Sequence, residues 1–451
     1  MVAHELRIIV EKVSVSSQEV VKRDTLKIYD IINPENILDL GLRHAEQISL
    51  LEKIQNALLA EQAVLIEEDK KVCPVCGEKL KKNGYRNSNF HAVFSDHQLR
   101  IQKHTCKSQE CNWSSSPTVT SKFGTDIHPD LAKLQCEQGA LYSFREAQSN
   151  LEKINCQTRS TNNATQIKRM TAKVGDILSE KNMREPEIKE CKPPAQELIV
   201  QVDGGHIPIQ DKDKRSFEAL SAIIYQPQNI RNIDKNHRQI TDKVCVASAI
   251  SDELKSIKAY VINGAKKQGL SENTLVIGLA DGAKNCWSIL ANIEGHCQSL
   301  ESILDWFHIG KKFKNIRRGL GESLEKFLES AKWELWHGHG AEALEKLNLL
   351  KDTLTDEKKK SQLQGLYDYL HRNRDYLVNY ESRKRTNQIY TSQVAESHID
   401  SLINARHKRS GKMQWSREGA HQVLQIRATM ASREWESHWQ ETVLSALGAV
   451  A

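Results

Sequence analysis

The order of apolar and polar positions divides the chain into a helical start, a cysteine-rich stretch, a strand-rich middle and a long helical end. In residues 1–69, Leu38, Leu42, Leu50, Leu51, Ile54, Leu58 and Leu59 fall mostly at helical spacing. That predicts an amphipathic helical region docking on a partner or on its own domain. From 70 to about 122 the periodicity stops, and Cys, Gly, Asn and Ser become dense. Helical patterning returns from Pro129 to about Leu178. LAKLQCEQGALYSFREAQSNLEKI reads as one or two helices broken near Gly139, and TRSTNNATQIKRMTAKVGDIL as a further one. Thr161, Asn162 or Asn163 is placed to cap that helix, because a side-chain oxygen there satisfies an orphan amide. A charged linker with Pro186, Pro193 and Pro194 follows. Four strand-like runs come next: ELIVQVDGGHIPI, FEALSAIIYQ, KVCVASAI and TLVIGLADG. From about 286 onward the pattern is largely helical. Residues 310–390 form a charged block containing Leu and Trp, and 391–445 a last helical stretch.

Composition narrows the class. A chain of 451 residues suggests about three domains. No apolar run approaches the roughly 18 residues of a membrane helix, so integral membrane function is not expected. The segment MVAHELRIIVEKVSV lacks the basic, apolar and small-residue regions of a signal peptide, so a cytoplasmic protein is expected. The 64 Lys+Arg against 58 Asp+Glu leave a net charge of +6, which permits a nucleic-acid partner without establishing one. Ten cysteines are too few for a disulfide scaffold, so those at close spacing read as metal ligands.

Cys73-Pro-Val-Cys76 is followed, 30 positions after Cys76, by Cys106 and then Cys111. Four thiolates in two close pairs can wrap one tetrahedral zinc at about 2.3 Å per sulfur. Tyr85, Phe90, Val93 and Phe94 between them suit the short strands of a zinc ribbon. The competing reading, four unrelated thiols or a redox pair, fits less well, since a redox site needs only one pair. His97 and His104 lie close enough in sequence to replace a cysteine. A closed four-thiolate site holds a fold and does no chemistry. Cys136, Cys156, Cys191, Cys245, Cys286 and Cys297 are scattered and read as ordinary buried thiols.

SFREAQSNLEKI, a polar break and TQIKRMTAKVGDIL are arranged like a helix-turn-helix. Its second helix carries Gln166, Lys168, Arg169 and Lys173, donors that reach phosphates or base edges. Any two amphipathic helices give a similar pattern. The sharpest feature is a repeated phrase. Leu198-Ile199-Val200-Gln201-Val202 ends in Asp203-Gly204-Gly205, and Leu275-Val276-Ile277-Gly278-Leu279-Ala280 ends in Asp281-Gly282. Each is an apolar strand with a carboxylate at its carboxyl end. If the strands are parallel neighbours, the two Asp side chains emerge side by side where open α/β sheets bind ligands. Two such carboxylates keep their charge best around a divalent cation. The glycines leave room for a phosphate backbone. Glu396 is the candidate third carboxylate. On its helix Ala395, Ile399, Leu402 and Ile403 form the core stripe, and Glu396 stands at the border, about 100° from Ala395. The competing reading of Glu396 is a solvated helix glutamate. Arg406, His407, Lys408, Arg409 and Lys412 follow, a run suited to phosphates.

These motifs together resemble a bacterial insertion-sequence transposase of the DDE class with an RNase H-like core. The chain is similar to the ISKra-like group, whose layout is related to Mutator-like transposases. VDGGHIP around Asp203, LADGAKNCW around Asp281, LDWFHIGKK around Asp305 and His308, and VAESHIDSLINARHKRSGKMQW around Glu396 carry the resemblance, over roughly residues 70–435. Asp203 and Asp281 are 78 positions apart and Glu396 follows 115 later, a gap that fits a helical insertion. The resemblance implies that Asp203, Asp281 and Glu396 bind two Mg²⁺ (or Mn²⁺) ions, in addition to a structural Zn²⁺. One ion activates water or a DNA 3′-hydroxyl, and the other stabilises the leaving oxygen. His308 is expected to contact the scissile phosphate or position the substrate, the alternative being that Asp305 and His308 merely start a helix. Lys311 and Lys312, with Lys314, Arg317 and Arg318 behind them, would line a DNA path, though such a run also suits a solvated face. Trp287, Trp306, Trp333, Trp336 and Trp415 read mostly as core.

The expected fold class is α/β, an RNase H-like catalytic core with an all-helical insertion, preceded by a zinc ribbon and a helical DNA-binding region. Its expected boundaries are a helical N-terminal region at 1–69 and the ribbon at 70–122. A helix-turn-helix-like region follows at 123–185. The core occupies 195–309, the insertion 310–390, and the last core helix with the third carboxylate 391–445. Double-stranded DNA, as element ends and target, is the expected partner, with a homo-oligomer on it and no membrane. The bacterial nucleoid is the expected location. Two other readings remain: a catalytically silent DNA-binding regulator, and an RNase H-like nuclease acting on RNA or branched DNA.

Overall fold

The computed structural model describes residues 4–66, 71–211, 213–233, 238–318, 320–394, 396–408 and 413–448, without the side chains of 394–400. The chain forms two compact units, Met1–Thr171 with Trp439–Ala451, and Ala172–His438. The boundary falls inside a helix and not at the proline linker.

The first unit opens with an antiparallel hairpin of β1 (His4–Val13) and β2 (Val20–Ile31), followed by helix α1 (His44–Leu65). The helical expectation for 1–69 therefore holds only for its second half. The leucines behind it all lie at or after Leu38, whereas the hairpin segments are rich in Ile, Val and Thr, whose branched side chains favour strands. Next comes a second hairpin, β3 (Leu80–His91) and β4 (Asp96–Cys106). These strands are long, not short, and Val93 and Phe94 sit in the turn between them. Leu59 and Ala63 of α1 pack on Leu99 and Ile101 of β4 and on Val119 of α2 (Val119–Phe123).

Helices α3 (Pro129–Leu141), α4 (Phe144–Asn155) and α5 (Ala164–Met183) come next. The break between the first two is at Tyr142 and Ser143, not Gly139. Ser143 and Glu146 form a capping box that starts α4. Gly139 instead lies buried in α3, where a Cβ would meet Thr171 Oγ1 at 2.3 Å. Among the three candidate caps for α5 the structure selects Asn163, whose Oδ1 accepts from the Gln166 amide at 3.0 Å. Ala147, Leu151 and Ile167 pack α4 against α5. Residues 156–163 join them, a longer link than the three or four residues of a helix-turn-helix.

The second unit is built on a five-stranded mixed sheet. Its strands are β5 (Glu197–Pro208), β6 (Ser216–Tyr225), β9 (Val244–Ser248), β10 (Leu275–Ala280) and β11 (Ser299–Leu304). A small ladder, β7 (Ile230–Asn232) with β8 (Arg238–Ile240), stands apart. The sheet order is β11-β10-β5-β6-β9. β10 runs parallel to β5 and to β11, while β6 is antiparallel to both its neighbours. β11 departs from the expected helical pattern after 286. It is a six-residue strand enclosed by helical sequence.

Side-chain alternation along β5 separates two faces. Leu198, Val200 and Val202 pack against α6 (Lys255–Lys267) and α7 (Lys284–Ala291) through Ile257, Tyr260, Val261, Ile289 and Leu290. Ile199, with Ile277 and Leu279 of β10 and Ile303 of β11, faces the other way. That face is covered by α8 (Trp306–Arg317), α9 (Glu322–Trp336), α10 (Gly340–Thr353) and α11 (Glu357–Arg372), and α12 (Tyr380–Arg385) completes the insertion. The insertion is thus helical, and its Leu328, Leu335, Leu347, Leu363 and Leu370 form one continuous core with the sheet. Finally α13 (Glu396–His407) lies on β5 and β6, and α14 (Arg417–Ala431) on β9.

Helices α13 and α14 bury histidines. His407 is fully buried, and that burial holds it at about 3. His421 is buried at 2% exposure, its Nε2 3.0 Å from Ser179 Oγ, and burial holds it at about 4. Both stay neutral in the fold while the unfolded chain protonates them below the ordinary value of about 6.5. The unfolded state then binds more protons, so stability falls as pH falls from 6.5 towards 4. Each histidine contributes a slope of up to about 1.4 kcal/mol per pH unit in that window. Melting curves between pH 7 and 5 should show this loss, and His421→Asn should have the shallower pH dependence.

Candidate functional site

Register places the acidic residues. Val202 pairs with Ala280, and Ala280 pairs with Leu304. The next residue on each of these three neighbouring parallel strands is Asp203, Asp281 or Asp305. Alternation puts all three on the face of Ile199, Ile277 and Ile303, because each stands an even number of residues further on. Neighbouring strands are about 4.8 Å apart, so the carboxylates form a short row at the carboxyl end of the sheet. The expectation that Asp203 and Asp281 emerge side by side is met, and Asp305 extends the row.

Together with His308, Ser392 and Gln201 the row lines a cavity of about 10 Å³, the size of one water molecule or one small ion. Burial raises Asp203 to about 6, with Asp281 and Asp305 adding to the rise and His308 opposing it. Its Oδ1 accepts from the Gly204 amide at 2.7 Å. Asp281 accepts from the Ala283 amide at 2.9 Å, and its own carbonyl accepts from Tyr369 Oη at 2.8 Å. Asp305 is only 1% exposed. Burial alone would raise it, but hydrogen bonds from His308 and Ser392 hold it below the ordinary value. His308 Nδ1 donates to Asp305 Oδ2 at 2.7 Å, so Nδ1 carries a proton and Nε2 is the remaining nitrogen. Burial opposes charge on His308, but the Asp305 carboxylate outweighs it and raises the imidazole. Sequence reasoning missed Ser392, whose place follows only from the fold, and Gln201, which alternation along the strand puts on the face of Asp203.

Glu396 opens α13, and its side chain lies outside the described residues. The helix itself is well placed. Ile403 would meet a Cβ on Gly205, two residues past Asp203, at 3.0 Å. Gly205 therefore makes room for α13, not for a phosphate backbone. Gly282 has φ +95°, and a Cβ there would lie 2.8 Å from Tyr369. It serves the close approach of the insertion to the strand end. Gly204 faces the Glu218 carboxylate, which accepts from Asn285 Nδ2 at 2.7 Å.

The expected DNA contacts fare unequally. Lys168, Arg169 and Lys173 are exposed on α5. Lys311 and Lys312 are exposed on α8, and their ammonium groups lie 4.1 Å from the ring centres of Phe307 and Tyr369. Tyr369 is the side chain bonded to Asp281, so Lys312 stands beside the row. Lys408 is exposed, and Arg409 lies outside the described residues. Arg406 is a correction: it is 1% exposed, with its guanidinium 4.7 Å from the ring centre of Trp415. It belongs to the core stripe and is no surface cation. Of the tryptophans, Trp336 and Trp415 are buried, while Trp333 is 51% exposed.

The four cysteines converge. The sulfurs of Cys73, Cys76, Cys106 and Cys111 all lie within 4.8 Å of one another. Cys73 and Cys111 are 3.8 Å apart, and Cys76 and Cys106 are 3.4 Å apart. Four bonds of about 2.3 Å in a tetrahedron require about 3.8 Å between sulfurs, so the cluster can hold one metal ion and suits structural zinc. Gly77, at φ +75°, closes the first turn, and its amide donates to the Cys73 carbonyl at 2.9 Å. The pairing of Leu80 with Cys106 brings the second turn alongside. His97 is engaged elsewhere, donating through Nδ1 to Asn56 Oδ1 at 2.6 Å and accepting from Ser95 Oγ at 2.9 Å. His104 stands outside the cluster. Of the six remaining cysteines Cys136, Cys245 and Cys286 are buried as expected, but Cys156 is exposed and Cys191 and Cys297 are half-buried.

A family model matches residues 128–441, well over half of the chain. The chain belongs to UPF0236, an uncharacterised protein family. No curated protein matches it. In this UPF0236 member the matched segment contains helices α3 to α14 and the whole carboxylate row, and it begins after the thiolate cluster. Among the described residues no helix is long and apolar enough to cross a membrane.

Metal analysis of purified protein should give one zinc per chain, and Cys76→Ser should lose it together with the order of the β3–β4 hairpin. A folded, zinc-free wild-type protein would refute the zinc reading. Gly282→Ala should lower stability to chemical denaturation by about 1–3 kcal/mol, because it combines backbone strain with a clash against Tyr369. Gly365→Ala, on an open face of α11, should leave stability unchanged or raise it by up to about 1 kcal/mol.

Proposed function

We propose that this chain is a DDE transposase with an RNase H-like core that binds duplex element ends and carries out strand cleavage and strand transfer. One observation carries the reading: Asp203 and Asp281 stand in one row at the ends of neighbouring parallel strands. The strand order β11-β10-β5-β6-β9, with β6 alone reversed, supports the RNase H-like assignment. So does the placement of α13, which starts at Glu396 and packs beside Asp203 through Gly205 and Ile403.

The donor set fits divalent metal. Carboxylate oxygens are hard ligands of the kind Mg²⁺ and Mn²⁺ take, and Asp203 and Asp281 stand side by side to offer them. Asp203, Asp281 and Glu396 are the residues that would hold two such ions. When bound, the ions supply a nucleophilic oxygen at neutral pH and stabilise charge on the leaving oxygen. The chain's own residues do the rest. Asp305 fixes the tautomer and orientation of His308, which keeps a proton on Nδ1. Lys311 and Lys312 provide exposed positive charge on α8, the helix that begins directly after Asp305. In the other unit the thiolate cluster reads as a zinc ribbon. The exposed Lys168 and Arg169 read as DNA contacts, continued by Lys173 on the same helix. A homo-oligomer on DNA in the bacterial nucleoid completes the reading.

A pure DNA-binding regulator gains nothing from a row of negative charges where phosphates must lie. The test is strand cleavage with Mg²⁺ and duplex DNA from the sequences flanking the gene. Wild type should nick at a repeat boundary, while Asp281→Asn binds the same ends and cuts at background level. Cleavage by Asp281→Asn would remove this aspartate from the site. Binding without cleavage by both proteins would favour the regulator.

A further inference from the structure

Asp305 stands in the acidic row but has nothing left to offer a cation. A carboxylate has about four acceptor positions. In Asp305 all four are taken. Oδ1 accepts from the Phe307 amide at 3.1 Å and the Ser392 amide at 2.8 Å. Oδ2 accepts from His308 Nδ1 at 2.7 Å and Ser392 Oγ at 2.5 Å. Two donors sit at the start of α8, directly after the strand. The other two belong to Ser392, 87 positions later in the chain. Ser392 is itself buried, at 7% exposure.

Two more ties hold the same returning segment. The Trp306 amide donates to the Tyr390 carbonyl at 3.3 Å. Arg383 Nε donates to the Ile389 carbonyl at 2.8 Å, while its Nη1 pairs with Glu301 of β11 at 2.6 Å. So residues 389–392 are pinned to β11 and to the residues that follow it. α13 begins four residues after Ser392.

We propose that Asp305 is a positioning residue that, through Ser392, sets where the chain re-enters the core after the helical insertion and so fixes the first turn of α13. The clamp itself rests on geometry alone. Its bearing on catalysis rests on the transposase reading, because only that reading makes Glu396 a ligand. Asp305 acts at a distance on the third carboxylate, and the insertion must be folded back before the site is complete.

The experiment compares Ser392→Ala, Ser392→Thr and Asp305→Asn with wild type in the full-length protein. Hydrogen exchange reports on residues 396–400, and electron paramagnetic resonance reports Mn²⁺ binding. In Ser392→Ala, exchange in the first turn of α13 should speed up about tenfold or more, with β5 and β10 still protected. Mn²⁺ affinity should fall by about 10–100-fold, the usual cost of losing a group that orients a ligand. Ser392→Thr, which keeps the hydroxyl, should restore both, and duplex binding should stay unchanged. Asp305→Asn keeps the side-chain volume but loses acceptors, and should loosen the same turn. Exchange at 396–400 unmoved in Ser392→Ala would overturn the proposal. So would loosening spread evenly over the sheet, or a Thr variant that restores nothing. A wild-type protein that binds no Mn²⁺ and cuts no DNA would sink the transposase reading, while the exchange data would still decide the clamp.

Discussion

The arrangement of this protein depends on strand register. Three parallel strands aligned at Val202, Ala280 and Leu304 leave no freedom in where the following residues stand. A slip of one residue in any of them would turn its aspartate to the opposite face, where α6 and α7 offer only apolar side chains. The register is therefore enforced by burial. Ile199, Ile277 and Ile303 must lie under the helical layer, and the aspartates take their places because those residues do. The hydrophobic core positions the charges.

The same dependence explains the glycines and the insertion. An insertion between a strand and a helix often forms a separate body, but here its leucines share one core with the sheet. The approach is close enough that a Cβ on Gly282 would lie 2.8 Å from Tyr369 and 2.9 Å from Asn373, and α13 comes as near to Gly205, where a Cβ would lie 3.0 Å from Ile403. Tyr369 then bonds the Asp281 carbonyl, and Tyr380 Oη bonds the Leu304 carbonyl at 2.8 Å. The insertion supplies hydrogen-bond partners that the strand ends would otherwise take from water.

What was legible in the sequence was whatever had a local signature. The Asp203 and Asp281 phrases announce themselves because an apolar run, a carboxylate and glycine occur together twice. The thiolates do so because covalent spacing fixes metal geometry. The N-terminal hairpin was hidden by a leucine count that begins only at Leu38, although Ile8, Ile9 and Val10 carried the strand signal. β11 was hidden because SLESIL is short and enclosed by helical sequence. Arg406 sits in a basic run that points to the surface, yet it follows Ile399, Leu402 and Ile403 at helical spacing and so belongs to the core stripe. Ser392 had no signal, because its partner lies 87 positions away and no local pattern encodes such a pair.

That separation has a consequence during synthesis. A chain emerging from the ribosome at about 5–20 residues per second folds its early parts first. The strands bearing Asp203, Asp281 and Asp305 are all made before the insertion, yet the segment that meets Asp305 arrives only after it. Closing so long a loop costs entropy that only a packed insertion offsets. An unfinished or truncated product therefore carries the aspartates without the helix that follows Ser392. The order of translation therefore delivers Ser392 and α13 only after the three aspartates and the whole insertion have been made.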